Sequence, residues 1–408
     1  VSQPPPEVRA WGYALVTVVA ALAAMVVTGA LGLWAAGAGH LPSGAFPGVL
    51  AATLVSAVGG TLQLTGGAGF LGRTGATVSV VPLSVTLAGA LAAAACFRRG
   101  LDAGLRPTGL AVRTAVPWLA ALGLITAAAR HTFRLSLGGQ VLNDIGEALG
   151  VTPTVGFRAA VTPTLGFGLL WLLILLGVVA LASRRVALPR FLRPARPAVR
   201  AVLGLLLGYM ALGLLVGVVT LITHGHPAET MAVLLLGLPN LAWLALGIGL
   251  GGAWDGQVPH TIGLPMPQAL AAVLRAHDGR TATVDLSSLS EQDGRAWVLA
   301  LAAALTLLLT GYAATTGPRP WRQAVWLAVS LALALLAVGA LTGISARYGL
   351  SLIGLGDIDA FGSEVTLHAR LLRLLGLGAL WGLLSGLLCA LLPHRVPPAA
   401  HTRHPPET

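Results

Sequence analysis

Lysine is absent from this sequence, and all 25 basic residues are arginine. Acids are scarce as well, so charged residues make up 10% of the 408 positions, against about 25% in a soluble domain. That shortage excludes a soluble enzyme or a soluble nucleic-acid binder. The missing lysine is a mark of composition and carries no mechanism. Cysteine is nearly missing too. Cys96 and Cys389 lie far apart near the ends of apolar runs, with no CxxC and no ligand set beside them. They read as two small buried hydrophobes, which excludes a disulfide framework or a cysteine metal site. No Walker loop, nucleophile elbow, HExxH or GxGxxG after a strand occurs. No acid, base and nucleophile set can be assembled, so an embedded enzyme is not expected, nor is a cofactor.

What fills the chain instead is apolar, at 56% of residues and a mean hydropathy of +0.83. A membrane crossing takes about 20 apolar helical residues. Eight stretches qualify: 12–36, 80–97, 112–130, 161–183, 201–223, 296–316, 323–343 and 373–392. Two others are ambiguous. The stretch 46–62 is short and glycine-rich, with Pro47 at its start. The stretch 228–252 is long enough to cross but carries Pro239-Asn240, where a helix loses a backbone donor. The fold class expected is an all-α integral membrane protein of about eight crossings, with one or two re-entrant or broken segments. Residues 1–408 form one polytopic domain in this reading. Its parts include a lead-in at 1–11, an outer loop at 253–295 and a disordered tail at 393–408. The first span is too long for the h-region of a signal peptide and is expected to remain as an anchor.

The formal charge of +11 belongs to topology rather than to nucleic-acid binding, because the arginines are scattered between spans. With both ambiguous stretches re-entrant, the inner segments hold 15 arginines against three acids, and the outer ones ten against eleven. Both termini are then cytoplasmic, in a multi-pass protein of the cell membrane. A rival lets 228–252 cross and puts the C-terminus outside, with 17 arginines inside. Long loops translocate largely regardless of charge, which favours the first arrangement.

A pattern recurs. Gly166-Phe-Gly168-Leu-Leu-Trp171 and Gly376-Leu-Gly378-Ala-Leu-Trp381 sit at one depth in two helices, each followed by a basic exit. Four inward helices are preceded by short β-prone segments, at 77–81, 152–155, 281–286 and 364–368. The unit reads as outward helix, extended outer segment, inward helix and basic exit, in four copies, and repeats of this kind are common in transporters. The four extended segments are expected to meet in a small outer cap. Gly204/Gly208, Gly213/Gly217 and Gly382/Gly386 are GxxxG pairs suited to close helix contact. Trp11, Trp34, Trp254, Trp297 and Trp321 read as interfacial anchors.

Several segments resemble the streptophobe family of actinobacterial multi-pass membrane proteins. They are Asp144-Ile-Gly-Glu-Ala-Leu-Gly with the following PTVGFRAAVTPT, Ser290-Glu-Gln-Asp-Gly-Arg-Ala-Trp297, Arg347-Tyr-Gly-Leu-Ser-Leu-Ile-Gly-Leu-Gly-Asp357, and the helix around Trp381. The likeness covers most of the chain and departs at Ala160, where an acid would be expected. It implies an envelope location and lends no activity or substrate.

The polar residues offer few candidates. The secure spans carry no charge in their central turns, which argues against a pump with a midplane coupling acid. A passive channel, a permease for an uncharged solute, or a scaffold stays open. His224-x-His226 with Glu229 has a weak metal-ligand look, and a solvated loop explains it better. Ser290-x-x-Asp293 has capping-box spacing. Residues 265–276 read as a short interfacial helix. Asn240 and Pro239, with the outer residues Asp144, Asp357, Asp359 and Arg158, are the candidates for a polar path or structural site. Beyond the lipid bilayer, the arginine-rich loop 184–200 is the place for a cytoplasmic partner, and no nucleic acid is expected. The function expected is transport-like, with a scaffold or envelope-assembly role as the alternative.

Overall fold

The computed structural model describes residues 6–42, 44–68, 73–134, 153–223, 227–257, 273, 281–314, 320–352, 356–358 and 364–391. Its first part runs α1 (Pro6–Ala35), α2 (Ala45–Ala57), β1 (Leu62–Ala68), β2 (Arg73–Val80), α3 (Leu83–Asp102), α4 (Pro107–Ala128), β3 (Arg130–Arg134), β4 (Pro153–Ala159) and α5 (Val161–Ala182). The second runs α6 (Ala195–Thr223), α7 (Pro227–Gly249), β5 (Trp254–Gln257), β6 (Ala282–Val284), α8 (Leu286–Gln292), α9 (Trp297–Ala314), α10 (Pro320–Leu341), β7 (Ile344–Leu352), β8 (Gly356–Ile358), β9 (Glu364–Ala369) and α11 (Leu371–Ala390).

Among the described residues, eight helices are long and apolar enough to cross a membrane: α1, α4, α5, α6, α7, α9, α10 and α11. The chain is a multi-pass membrane protein. The set differs from the expected eight at two places. Helix α3 has 20 residues, but its last turns carry Arg98, Arg99 and Asp102, so its apolar part stops at Phe97. Helix α7 runs unbroken through Pro239 for 23 residues, where an interruption was expected. Helix α2, with 13 residues, is about 20 Å long and too short to cross.

The strands exceed the expected short segments. All nine join one antiparallel sheet in the order β3-β4-β1-β2-β7-β9-β5-β6, with β8 on β7. Residues 77–80, 153–155, 282–284 and 364–368 all lie in it. They are not four neighbours, because β1, β7 and β5 come between them. The seam between the two parts of the chain is the β2–β7 pairing, from Arg73↔Ser351 to Val80↔Ile344.

Connectivity fixes which helix ends face this sheet. Helices α4 and α10 run into strands, α3, α5 and α11 leave from them, and α1 leads through a short turn into α2 and then β1. Helix α6 starts at the opposite end, where Arg196 and Arg200 donate to the carbonyls of Leu181 and Ala182 at the foot of α5. Its 29 residues, about 44 Å of helix, bring it back to the sheet side. Helix α7 follows after residues 224–226 and ends just before β5. In chain order α7 thus leads from α6 into β5, as α2 leads from α1 into β1.

The two helices end alike. After α2, the Gly59 N–H donates to Ser56 O and the Gly60 N–H to Val55 O; after α7, Gly251 donates to Ile248 O and Gly252 to Gly247 O. Gly59 and Gly251 have φ of 86° and 91°. This is the six-to-one and five-to-two closure that a left-handed glycine permits, and it turns the chain back. The next residues are held alike as well. Ala160 N–H donates to Thr61 O, and Arg370 N–H to Ala253 O. Leu62 pairs with Ala159 and Trp254 with Ala369.

Side chains explain the packing. Gly378, Gly382 and Gly386 of α11 face Ala332, Ala328 and Ala324 of α10, and a Cβ on any of them would lie 2.6–2.7 Å from an alanine Cα. Small residues every fourth position bring these two backbones together. Gly168 leaves room for Leu122, while Trp118 donates its indole N–H to Gly168 O at 3.0 Å and stacks on Trp171 at 5.3 Å. Buried apolar residues form two large clusters, one from α1–α5 and one from α6–α11 with the strands beside them. Cys96 and Cys389 are free and buried.

Two local expectations are corrected. Trp254 is fully buried rather than interfacial: its ring covers Gly247 and its indole N–H reaches Thr342 Oγ1 at 3.4 Å. The capping box lies at Asp285 and Ser288, because Asp285 directly precedes α8; Asp293 instead caps the turn leading into α9 through the Arg295 N–H. Of 265–276, only Val273 is among the described residues, and it is buried.

Candidate functional site at the α7–α3 junction

Proline 239 offers no N–H to the α7 ladder, and its ring crowds the carbonyl four residues back. The structure meets that fault from a second helix. Ser84, in the first turn of α3, donates its hydroxyl to Leu234 O at 2.9 Å and accepts the Leu238 N–H at 3.2 Å. Leu234 and Leu238 are partners in an undisturbed helix, so the hydroxyl bridges one rung next to the proline. This is a side chain inserted at a helix irregularity, and it keeps both backbone groups of that rung paired.

Asn240 returns the service. Helix α3 begins after Pro82 with no side-chain cap of its own, which leaves its first N–H groups without intrahelical partners. Asn240 Oδ1 accepts the Leu83 N–H at 3.0 Å, and Nδ2 donates to Val81 O at 2.9 Å. The amide brackets Pro82 and caps α3 from outside. Around this pair Leu83, Trp243 and Val338 are buried together, and Leu235 and Leu236 lie against Gly32 of α1. The upper part of α7 thus packs on the first part of the chain. Its lower part packs on the second, with Gly249 against Leu299 and Ala303.

The C-terminal ends of α2 and α7 are satisfied by protein. Thr86 donates its hydroxyl to Ala57 O at 2.6 Å, below α2. Trp381 donates its indole N–H to Leu250 O at 2.9 Å, below α7. Among the described residues every buried polar side chain outside the aromatics is a neutral hydroxyl of Ser or Thr. The Tyr209 hydroxyl, on α6 within the second cluster, is buried without a hydrogen-bond partner among the described residues.

Pro239 is buried in α7 at this junction, and the remaining expected site residues do not converge here. Arg158 is exposed on β4, with its guanidinium 3.4 Å from Gln63 Oε1. Asp357 stands on β8, separated from β4 by β1, β2 and β7, or about 19 Å at the usual strand spacing. Asp144, Asp359 and the His224/His226 pair lie outside the described residues. Glu229 is exposed at the start of α7, and no group of three metal-ligating side chains occurs among the described residues.

One polar cluster was not foreseen. Arg370, just before α11, holds Asp255 of β5 bidentately, Nε to Oδ2 at 2.9 Å and Nη2 to Oδ1 at 2.9 Å. Thr283 of β6 donates to the same carboxylate at 3.0 Å. Hydrogen bonding from Arg370 is the main reason the Asp255 carboxyl is held below its usual range, with burial opposing. A depressed carboxyl stabilises the fold above the unfolded value of about 3.9 and loses that contribution as pH falls through the folded value. Melting of detergent-solubilised protein is expected to steepen in its acid dependence below about pH 4, and Asp255→Asn to flatten that dependence. An unchanged acid slope in the variant would assign the effect elsewhere.

Sequence spacing could not have found this cluster, since its members lie 115 and 87 residues apart. Ser84 was missed for the same reason. No protein family, curated protein or solved structure matches the chain.

Proposed function

We propose that the chain is a transport-like membrane protein passing a small uncharged solute, built as two tandem copies of one unit. The observation that carries the reading is that α2 and α7 both end in a Gly-Gly closure followed by a strand; in this proposal each enters from the sheet side and turns back inside the bundle. Broken or re-entrant helices at the interface of internal repeats are the usual construction of a transport site. In this reading residues 6–182 and 195–390 correspond. Val55 matches Gly247, Leu62 matches Trp254 and Pro47 matches Pro239 at one constant offset. The strand groups β3-β4-β1-β2 and β7-β9-β5-β6 then correspond in order. Helix α7 is α2 with an added N-terminal stretch, which places its proline mid-helix. Each unit contains two of the helix pairs read from the sequence.

The neutral interior supports an uncharged solute, because an ion or proton path is ordinarily marked by buried charge. The streptophobe-like identity is part of the same proposal and rests on the loop motifs. Purified protein in liposomes should accelerate osmotic swelling in glycerol or urea and leave sodium flux at background. No acceleration with any small polyol or amide would end the transport reading. The scaffold alternative is favoured by one observation, the satisfaction of both re-entrant ends by Thr86 and Trp381.

The crossings in this proposal are α1, α3, α4, α5, α6, α9, α10 and α11. The end away from the sheet carries twelve arginines against Glu7 and Asp102 among the described residues. The positive-inside rule puts that end, with both termini, in the cytoplasm. In a Cys96→Ala, Cys389→Ala background, a membrane-impermeant thiol reagent on intact cells should label Glu291→Cys and spare Arg190→Cys. The reverse pattern would invert the topology, and labelling of both would end it.

A further inference from the structure

At the arginine-rich end, α6 and α9 stand apart. Between them lies a groove of about 470 Å³, with Arg184 and Arg200 at its mouth, Gly204 and Gly208 on its floor, and Leu309 and Thr310 on its wall. A Cβ on Gly204 or Gly208 would meet nothing within 4 Å. In the tightly packed pair α1 and α3, by contrast, Met25 lies on Gly89 and Tyr13 on Gly100. From Arg200 to Gly208 the groove runs about 12 Å along the helix. Its hydroxyls are already used: Thr306 donates to Ala302 O and Thr310 to Thr306 O. The deep part therefore offers hydrocarbon contact and no free donor.

The mouth is the opposite. The charges acting on Arg200 are Arg184, Arg196 and Arg98, all positive. Asp102, the acid of this region, is 3.6 Å from Arg185. Arg200 spends Nε and Nη2 on the Ala182 carbonyl, and Arg196 spends its donors on Leu181 O and Val186 O. The Nη1 group of Arg200 and the whole guanidinium of Arg184 form no hydrogen bond or ion pair with any described residue. Clustered guanidinium groups over an apolar slot suit one ligand chemistry, a phosphate diester carrying a hydrocarbon chain.

We propose that the α6–α9 groove binds one anionic phospholipid of the adjoining leaflet. Its phosphate lies between Arg184 and Arg200, and one acyl chain lies along Gly204 and Gly208. Basic pockets between membrane helices are a known way of holding acidic headgroups. The inference does not depend on α7 or on any solute being moved.

Native mass spectrometry of the delipidated full chain, titrated with phosphatidylglycerol or phosphatidylcholine, tests it. One phosphatidylglycerol should bind in clear preference to phosphatidylcholine. Arg184→Gln, which breaks no bond to any described residue, should weaken that binding about fivefold. Gly208→Leu should fill the slot and remove the bound lipid while the protein still elutes as a folded species. Equal binding of the two lipids, or unchanged binding in both variants, would overturn the proposal. So would competition by soluble glycerol phosphate at the lipid's own concentration, since that makes the site a receptor for a free anion.

Discussion

Asn240→Leu is expected to destabilise the protein by about 3 kcal/mol, because it strands two backbone groups at once. The Leu83 N–H and the Val81 carbonyl lose the amide between them, and a leucine side chain offers neither group a replacement. Ser84→Ala is expected to cost less, about 1 kcal/mol. The Leu238 N–H and Leu234 carbonyl that the hydroxyl now bridges can close on one another across the ordinary ladder spacing. Asn240→Asp should fall between the two, keeping the acceptor for Leu83 and losing the donor to Val81. Thermal unfolding in detergent measures all three. Equal losses for Asn240→Leu and Ser84→Ala would mean that general packing, and not the cap, governs this junction.

The second large effect comes from the α10–α11 contact and has a sign reversal built into it. Gly382→Ala puts a methyl 2.6 Å from Ala328 Cα. That obstacle is backbone, so no side chain can swing away, and a loss of about 1–3 kcal/mol is expected. Gly376→Ala, six residues away on the same helix, meets nothing within 4 Å. It should gain up to about 1 kcal/mol from helix propensity. A stabilising Gly382→Ala would show that the two helices can part without loss.

The helices were legible because composition alone dictates them: a run of Leu, Ala and Val without charge has few other fates in a membrane protein. Pro239-Asn240 was legible for a different reason. A proline in such a run creates a backbone debt, and an amide beside it is a residue that can settle one. What stayed hidden was the partner. Ser84 is one hydroxyl among many, and nothing in a single sequence ties it to Leu234. The helix was therefore expected to break where it is in fact bridged.

The strands were underread for a similar reason. Ladders such as β1–β4 join residues almost a hundred positions apart, and in β1 the alternation of Leu62-Gln63-Leu64-Thr65 stops at Gly66-Gly67. The closures at Gly59-Gly60 and Gly251-Gly252 were lost among 53 glycines. In the G-x-G-x-L-W motif the second glycine and the tryptophan carry the contacts: Gly168 and Gly378 lie against Leu122 and Ala332, Trp171 stacks on Trp118 and Trp381 donates to Leu250 O, whereas Gly166 and Gly376 meet nothing within 4 Å.

The β2–β7 ladder sets a mechanical condition on whatever the bundle does. It is the sheet's seam between the two parts of the chain, and it pairs eight residues of each strand without interruption. Pulling the halves apart on that face would unzip the whole row. A swing of one half against the other that spares the row has its fulcrum at the sheet, and its free travel at the arginine-rich end. The strands are then less a lid over the helices than the spine of a book whose pages open on one side only.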